Sequence, residues 1–218
     1  MSDAEQRLAD VQAGLDRACR DAARSETPLL VAISKTFDAD AIRPLIAAGQ
    51  RHFGENRVQE AAAKWPEMLA ETPGITLHLV GQLQSNKAAE AVALFDVIHS
   101  VDRPSLVTAL GKAQAAAGKH PACYLQVNIG DEEQKGGCAL SDLPALLAQA
   151  REAGLNVVGL MCVPPAAVEP APYFALLAEH AKRLGLAGLS MGMSSDYETA
   201  ALLGSTVVRV GSALFGSR

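Results

Sequence analysis

A chain of 218 residues, 49% hydrophobic and 20% charged, is long enough to bury its own core without disulfide or metal staples, and it falls within the range of one small α/β barrel. Its net charge of -5, with no stripe of lysine and arginine, argues against a nucleic-acid partner, and no apolar run approaches the length needed to cross a bilayer. The four cysteines, Cys19, Cys123, Cys138 and Cys162, form no CxxC pair and no zinc spacing, which predicts reduced thiols in a reducing compartment and no metal site.

Residues 1–25 are polar and charged, with apolar residues at helical spacing. They predict a helix over 3–23 rather than a secretory leader, and with it a cytoplasmic location. The apolar run 29–33 is short and continuous, as a strand buried on both faces is. Residues 40–49 predict a helix stopped by glycine, 52–54 a minimal strand and 58–70 a helix. The alternation then repeats. Strands are predicted over 75–80, 95–99, 122–128, 156–161, 188–190 and 206–210. Helices fall between them over 85–93, 104–117, 141–153, 173–184 and 196–203, and Pro104 suits a first helical turn. Loops 131–137 and 164–172 are the irregular excursions.

Alternating strands and helices demand a parallel sheet with right-handed crossovers. Eight such units favour closure into a (β/α)8 TIM-type barrel with an extra N-terminal helix; a doubly wound open sheet is the alternative that periodicity leaves standing. No linker divides the chain, so residues 1–218 read as one domain. No exposed apolar helix face is evident, which favours a monomer.

Barrel chemistry gathers at the carboxyl ends of the strands. Lys35 directly follows the first strand, where its stem would enter the barrel mouth. Desolvation there would free a nucleophilic amine able to form a Schiff base, whereas the bland reading is a snorkelling lysine at the rim. After the seventh and eighth strands come two small turns, around Gly192 and Ser194 and around Gly211 and Ser212. Such turns bind phosphate through backbone N–H groups, or merely close tightly. Arg209 interrupts the apolar run 207–210 and must meet either a carboxylate, with Glu55 as a candidate, or a ligand. His78 and His99 read as satisfied core histidines, Trp65 as helix packing and 131–133 as solvated loop. Lys87 and Lys135 read as surface lysines, and Cys138, in a Gly-rich charged loop, as the thiol most open to solvent.

Several segments carry a specific resemblance: VAISKT (31–36), GQRHFGENRVQE (49–60), HLVGQLQSNK (78–87), HSVDR (99–103), QVN (126–128), GLM (159–161), LSMGMS (189–194) and VRVGSALFG (208–216). In this order they resemble the pyridoxal phosphate homeostasis proteins, single-domain relatives of the alanine racemase N-terminal barrel. The resemblance implies pyridoxal 5'-phosphate (PLP) held as a Schiff base on Lys35. It implies Ser194, Gly211 and Ser212 at the phosphate, Arg209 facing the pyridine nitrogen, and Asn56 and Met191 lining the ring. Lys135 matches a loop lysine associated with the cofactor. Ser212 stands where threonine is common, Phe37-Asp38 replaces a basic-Pro step, Gly130 replaces a serine and Cys162 a threonine. These departures bear on affinity.

An arginine beside the ring nitrogen keeps it unprotonated and weakens the ring as an electron sink. A racemase also needs a second base on the other face of the ring. In the racemases resembled, a further domain supplies it, and the chain ends at Arg218 with no room for one. The implied function is therefore a non-catalytic carrier that buffers PLP and passes it to apo PLP-dependent enzymes. The alternatives are a weak amino-acid racemase and, more remotely, a Schiff-base aldolase on a sugar phosphate.

Overall fold

Strand β1 (Leu29–Ile33) forms where five apolar residues in a row leave no polar face, and the chain repeats that solution around a ring. The computed structural model describes residues 2–166 and 168–216; Met1, Ala167, Ser217 and Arg218 lie outside the described residues, and with them the chain end and the middle of the 164–172 excursion. The remaining strands are β2 (His52–Glu55), β3 (Thr76–Leu79), β4 (Val97–Val101), β5 (Ala122–Val127), β6 (Asn156–Cys162), β7 (Gly188–Ser190) and β8 (Val207–Val210). Each pairs in parallel with its neighbour in sequence, and β8 returns to β1 with Leu29 opposite Val207 and Val31 opposite Arg209. The closed barrel is the expected fold and settles the question against an open sheet.

Nine helices surround the barrel among the described residues: α1 (Asp3–Asp21), α2 (Ala39–Ala47), α3 (Val58–Glu71), α4 (Ala88–Leu94), α5 (Pro104–Ala117), α6 (Leu143–Glu152), α7 (Ala171–Arg183), α8 (Tyr197–Leu202) and α9 (Ser212–Phe215). Ser2 and Glu5 close a reciprocal capping box on α1. Pro104 opens α5, and Gly118 ends it at φ 63°. The extra helix α1 packs across α8 and α9, with Arg24 donating to the carbonyls of Ala201 and Ser205. No helix among the described residues is long and apolar enough to cross a membrane.

Two predicted elements differ. Residues 85–87 form a 3-10 turn before α4, and α4 is capped by Phe95, whose N–H bonds back to Ala91 O while its ring is fully buried. The strand therefore starts two residues later than its apolar run. Helix α9 was not expected; four residues carry too little periodicity to be read.

Two apolar layers result from strand alternation. Val31, Ile33, Tyr124, Met161 and Val207 fill the barrel interior. A larger cluster, with Leu30, Ala32, Phe53, Leu77 and Trp65 among its members, joins barrel to helices.

Candidate functional site

The turn after β1 is fixed from outside the barrel. Ser34 points outward and donates its hydroxyl to Glu55 Oε1 at 2.6 Å. That oxygen also accepts from Trp65 Nε1 at 2.9 Å and lies 2.8 Å from Lys64 Nζ. Lys64 donates in turn to the carbonyls of Ser34 and Phe37, each at 2.9 Å, and the Glu60 carboxylate accepts from the Thr36 N–H. Thr36 is held at φ 66°, a left-handed conformation that a β-branched residue keeps only where its surroundings over-determine it. Lys35 therefore occupies a preset turn, in the inward series of Val31 and Ile33 and at the mouth of the barrel. Its side chain is exposed, as a lysine at the rim would be, two residues past the last strand position.

Below the mouth the interior turns polar. Arg209 is buried, donating from Nη1 to Ser190 Oγ at 2.6 Å and from Nη2 to Cys162 O at 2.9 Å. Glu55 is not its partner. Glu55 shares the outward face of β2 with Phe53 and is taken by Lys64, and the ion pairs among the described residues do not include Arg209. Burial lowers the guanidinium pKa from its usual value, against the opposing pull of Cys162, Asp196 and Tyr124.

From Ser190 the polar line continues. Its Oγ lies 2.8 Å from His99 Nδ1; His99 Nε2 lies 2.9 Å from His78 Nδ1, and His78 Nε2 lies 3.1 Å from His52 Nδ1. Burial holds His99 well below an ordinary histidine and pushes His78 down to about 3, so both rings are neutral. His78 and His99 are satisfied core histidines, as read from their strands. Tyr124 stacks on His99 with ring centroids 4.6 Å apart.

The turns after β7 and β8 meet at Ser194, whose Oγ accepts from the N–H groups of Gly211 at 3.1 Å and Ala213 at 3.4 Å. Gly192 sits at φ 97°, where a side chain would be strained, and its carbonyl accepts from Arg209 N–H. Ser194 and Gly211 are thus joined directly, and the exposed Ser212 follows at the start of α9. Asn56 is half-buried at the end of β2. Met191 departs from the expected lining. Ser190 takes the inward position, so alternation sends the Met191 side chain into the outer core, where it is fully buried.

Loop 131–137 is tied over the mouth. Gln82 donates to Gln126 at 2.7 Å, and Gln126 to Gly136 O at 3.1 Å. Lys135 pairs with Glu132 and donates to Pro164 O at 2.8 Å. Cys138 is buried, against expectation, because residues 126–128 clasp its backbone in an added parallel bridge. Lys64, Gln82, Gln126, Ser190 and the histidine line were not legible as site residues. The available signal was strand parity, which sets His78, His99, Ser190 and Arg209 on one inward surface.

This donor set fits one kind of molecule. The buried guanidinium, bonded to two neutral oxygens, suits an acceptor without a proton. The Ser194–Gly211–Ser212 turn suits an anion, and a primary amine on a rigid turn suits a carbonyl.

The alanine racemase N-terminal domain family matches residues 15–218. A pyridoxal phosphate homeostasis protein of Pseudomonas aeruginosa is 42% identical, over 100% of this chain and 97% of its own. Its namesake in Escherichia coli K12 is 38% identical, over 100% and 98%. The structure of PipY from Synechococcus elongatus with PLP bound is 41% identical, covering 98% of this chain and all of its own, with a TM-score of 0.84. An alanine racemase of Clostridium difficile, 12% identical with a TM-score of 0.71, shares the fold over 57% of its length.

Proposed function

Because the chain belongs to the pyridoxal phosphate homeostasis protein family, we propose that it binds PLP at the carboxyl-end mouth of the barrel and holds it, through a Schiff base to Lys35, for delivery to apo PLP-dependent enzymes. The observation that carries this reading is Arg209: a buried guanidinium that donates to two neutral oxygens, one strand from the turn that carries Lys35.

When bound, PLP supplies an aldehyde that captures amines and a ring that can withdraw electrons. This chain's residues limit the second property. Arg209 carries five N–H donors and no acceptor, so it can only donate to a ring nitrogen, and its charge opposes a proton there. Ser194, Gly211 and Ser212 orient the phosphate, and Asn56 borders the ring. The Lys64–Glu55–Glu60 network keeps the Lys35 turn from swinging away. Loop 131–137, pinned through Gln126 and Lys135, narrows access of water to the mouth.

A carrier role, with no turnover, is supported by the names of the full-length relatives, and two ionisable groups near Arg209 make poor bases. The Cys162 thiol is pushed up to about 12 by burial, and the Tyr124 hydroxyl is engaged with Thr206, at the amino-terminal end of β8. We read residues 1–218 as one domain acting as a monomer in the cytoplasm.

The test is borohydride reduction of the PLP-loaded protein followed by peptide mapping. A pyridoxyl group on the Lys35 peptide, absent from Lys35→Ala, is the expected result. Full near-visible absorbance retained in Lys35→Ala overturns the attachment. Exchange of an amino acid's α-hydrogen in heavy water, faster than with free PLP and dependent on Lys35, would replace the carrier by a weak racemase.

A further inference from the structure

The three histidines inside the barrel can be given tautomers from their partners alone. An arginine donates and never accepts, so at the Arg209–Ser190 contact the serine oxygen is the acceptor. Ser190 is fully buried, and its own hydroxyl proton has one acceptor within reach among the described residues, His99 Nδ1. His99 therefore carries its proton on Nε2, which faces His78 Nδ1. His78 then carries its proton on Nε2, which faces His52 Nδ1. His52, half-buried at the amino end of β2, is left with a proton on Nε2. It lines a cavity at the amino-terminal end of the barrel together with Gln12, Asp16, Thr27 and Arg51. The opposite sense would leave the Ser190 hydroxyl proton buried without an acceptor, the arrangement buried polar groups avoid.

We propose that Ser190, His99, His78 and His52 form a one-way hydrogen-bond relay that positions Arg209, running from the cofactor-facing arginine through the barrel to its opposite face. The relay stands on the contacts above; its role toward PLP rests on the reading under Proposed function. Ser190, His99 and His78 each have one lone pair and one proton committed, and His52 closes the line with its Nδ1 lone pair, so none of the first three can turn without unpairing its neighbours. The stack of Tyr124 on His99 fixes the middle ring. Neutral rings are what burial enforces, since His78 and His99 resist protonation and His52 is shifted the same way. The consequence at the mouth is a guanidinium whose Nη1 and Nη2 are anchored to Ser190 and Cys162 O, and whose orientation is set by residues that touch no ligand. These are positioning residues.

The experiment reads the imidazole nitrogens directly, by long-range proton–nitrogen correlation of protein labelled with nitrogen-15 histidine and without added PLP. The expected result is a bare Nδ1 and a protonated Nε2 in all three rings. Ser190→Ala removes the donor that sets the sense. His99, His78 and His52 are then expected to move together toward mixed tautomers. In the PLP-loaded variant the near-visible band shifts while borohydride still fixes the pyridoxyl group to Lys35. A proton on Nδ1 of His78 or His99 in the unmodified protein overturns the relay, and so does a Ser190→Ala protein in which His99 changes and His52 does not. The unmodified protein decides the sense even where the variant does not fold. Failure of the unmodified protein to take up PLP would sink the cofactor reading and leave the tautomers to judge the relay by themselves.

Discussion

Lys64 and Glu55 form an ion pair, 2.8 Å from Nζ to Oε1, out of water between α3 and the barrel. The same ammonium clamps both ends of the turn that carries Lys35, through the carbonyls of Ser34 and Phe37. Lys64→Met leaves the Glu55 charge buried and uncompensated, which costs about 3–5 kcal/mol. Replacing both partners, as Glu55→Gln with Lys64→Met, recovers part of that loss. Urea unfolding of the two single variants and the double variant checks the order. Equal stability of the Lys64 single and the double would mean the pair is not coupled.

Arg209→Met removes the donors to Ser190 and Cys162 O together with the contact proposed for the ring nitrogen. Loss of one charge-assisted hydrogen bond, about 1.5–3 kcal/mol, corresponds to PLP affinity weaker by roughly ten- to a hundred-fold. Titration of the near-visible band reads it. An unchanged affinity would remove Arg209 from the site.

The buried histidines make the fold sensitive to acid in a defined direction. An ordinary histidine binds a proton below about 6.5. In the folded barrel His78 waits until about 3, and His99 is likewise held well below 6.5. Between these values the unfolded chain binds more protons than the folded one, so stability rises with pH. This contribution is complete above 6.5 and is lost as pH falls toward 3, at up to about 1.4 kcal/mol per pH unit for each ring. Denaturant unfolding at pH 7, 5.5 and 4.5 measures the slope, which His78→Asn should reduce. A flat profile would contradict the burial of neutral rings.

Gly81 lies where a Cβ would come within 2.2 Å of Asn56 O, a backbone atom that cannot rotate away. Gly81→Ala is expected to push the end of β2 and weaken PLP binding, with the Lys35 turn left in place. Pyridoxyl attachment at Lys35 should survive reduction at saturating PLP while the affinity falls.

Thiol chemistry gives a further check. Burial pushes Cys123, Cys138 and Cys162 up to about 12, which leaves a thiolate fraction on the order of one in ten thousand at pH 8. Native protein should react with a thiol reagent far more slowly than denatured protein, in which all four cysteines respond. Rapid labelling of Cys138 in the native state would place its loop away from the bridge to Val127.

Fold class was legible in the chain because doubly buried strands leave an unbroken apolar run, and seven of the eight runs announced themselves that way or by flanking helices. β2 was legible only as His52-Phe53-Gly54, since its Glu55 looks like a loop residue until Trp65, Ser34 and Lys64 gather around it. Arg209 was marked in the sequence by its apolar neighbours, but its partners were not. Glu55 and Arg209 sit on opposite faces of their strands, a matter of register that no local pattern encodes. The histidine line escaped for the same reason, its members lying 26, 21 and 91 residues apart.

Barrel closure joins β1 to β8, so Leu29 to Ala32 find their partners in Val207 to Val210. Few contacts in a chain are more distant in sequence, and such pairings form late and slowly because the intervening loop entropy must be met first. Until then β1 presents an open edge to other chains. Arg209 travels on the closing strand, and the Gly211 turn follows it. The cradle proposed for PLP is consequently complete only in the closed ring, and a ligand that binds there draws the equilibrium toward closure by mass action. PLP held there as proposed would therefore add to the stability of the closed barrel.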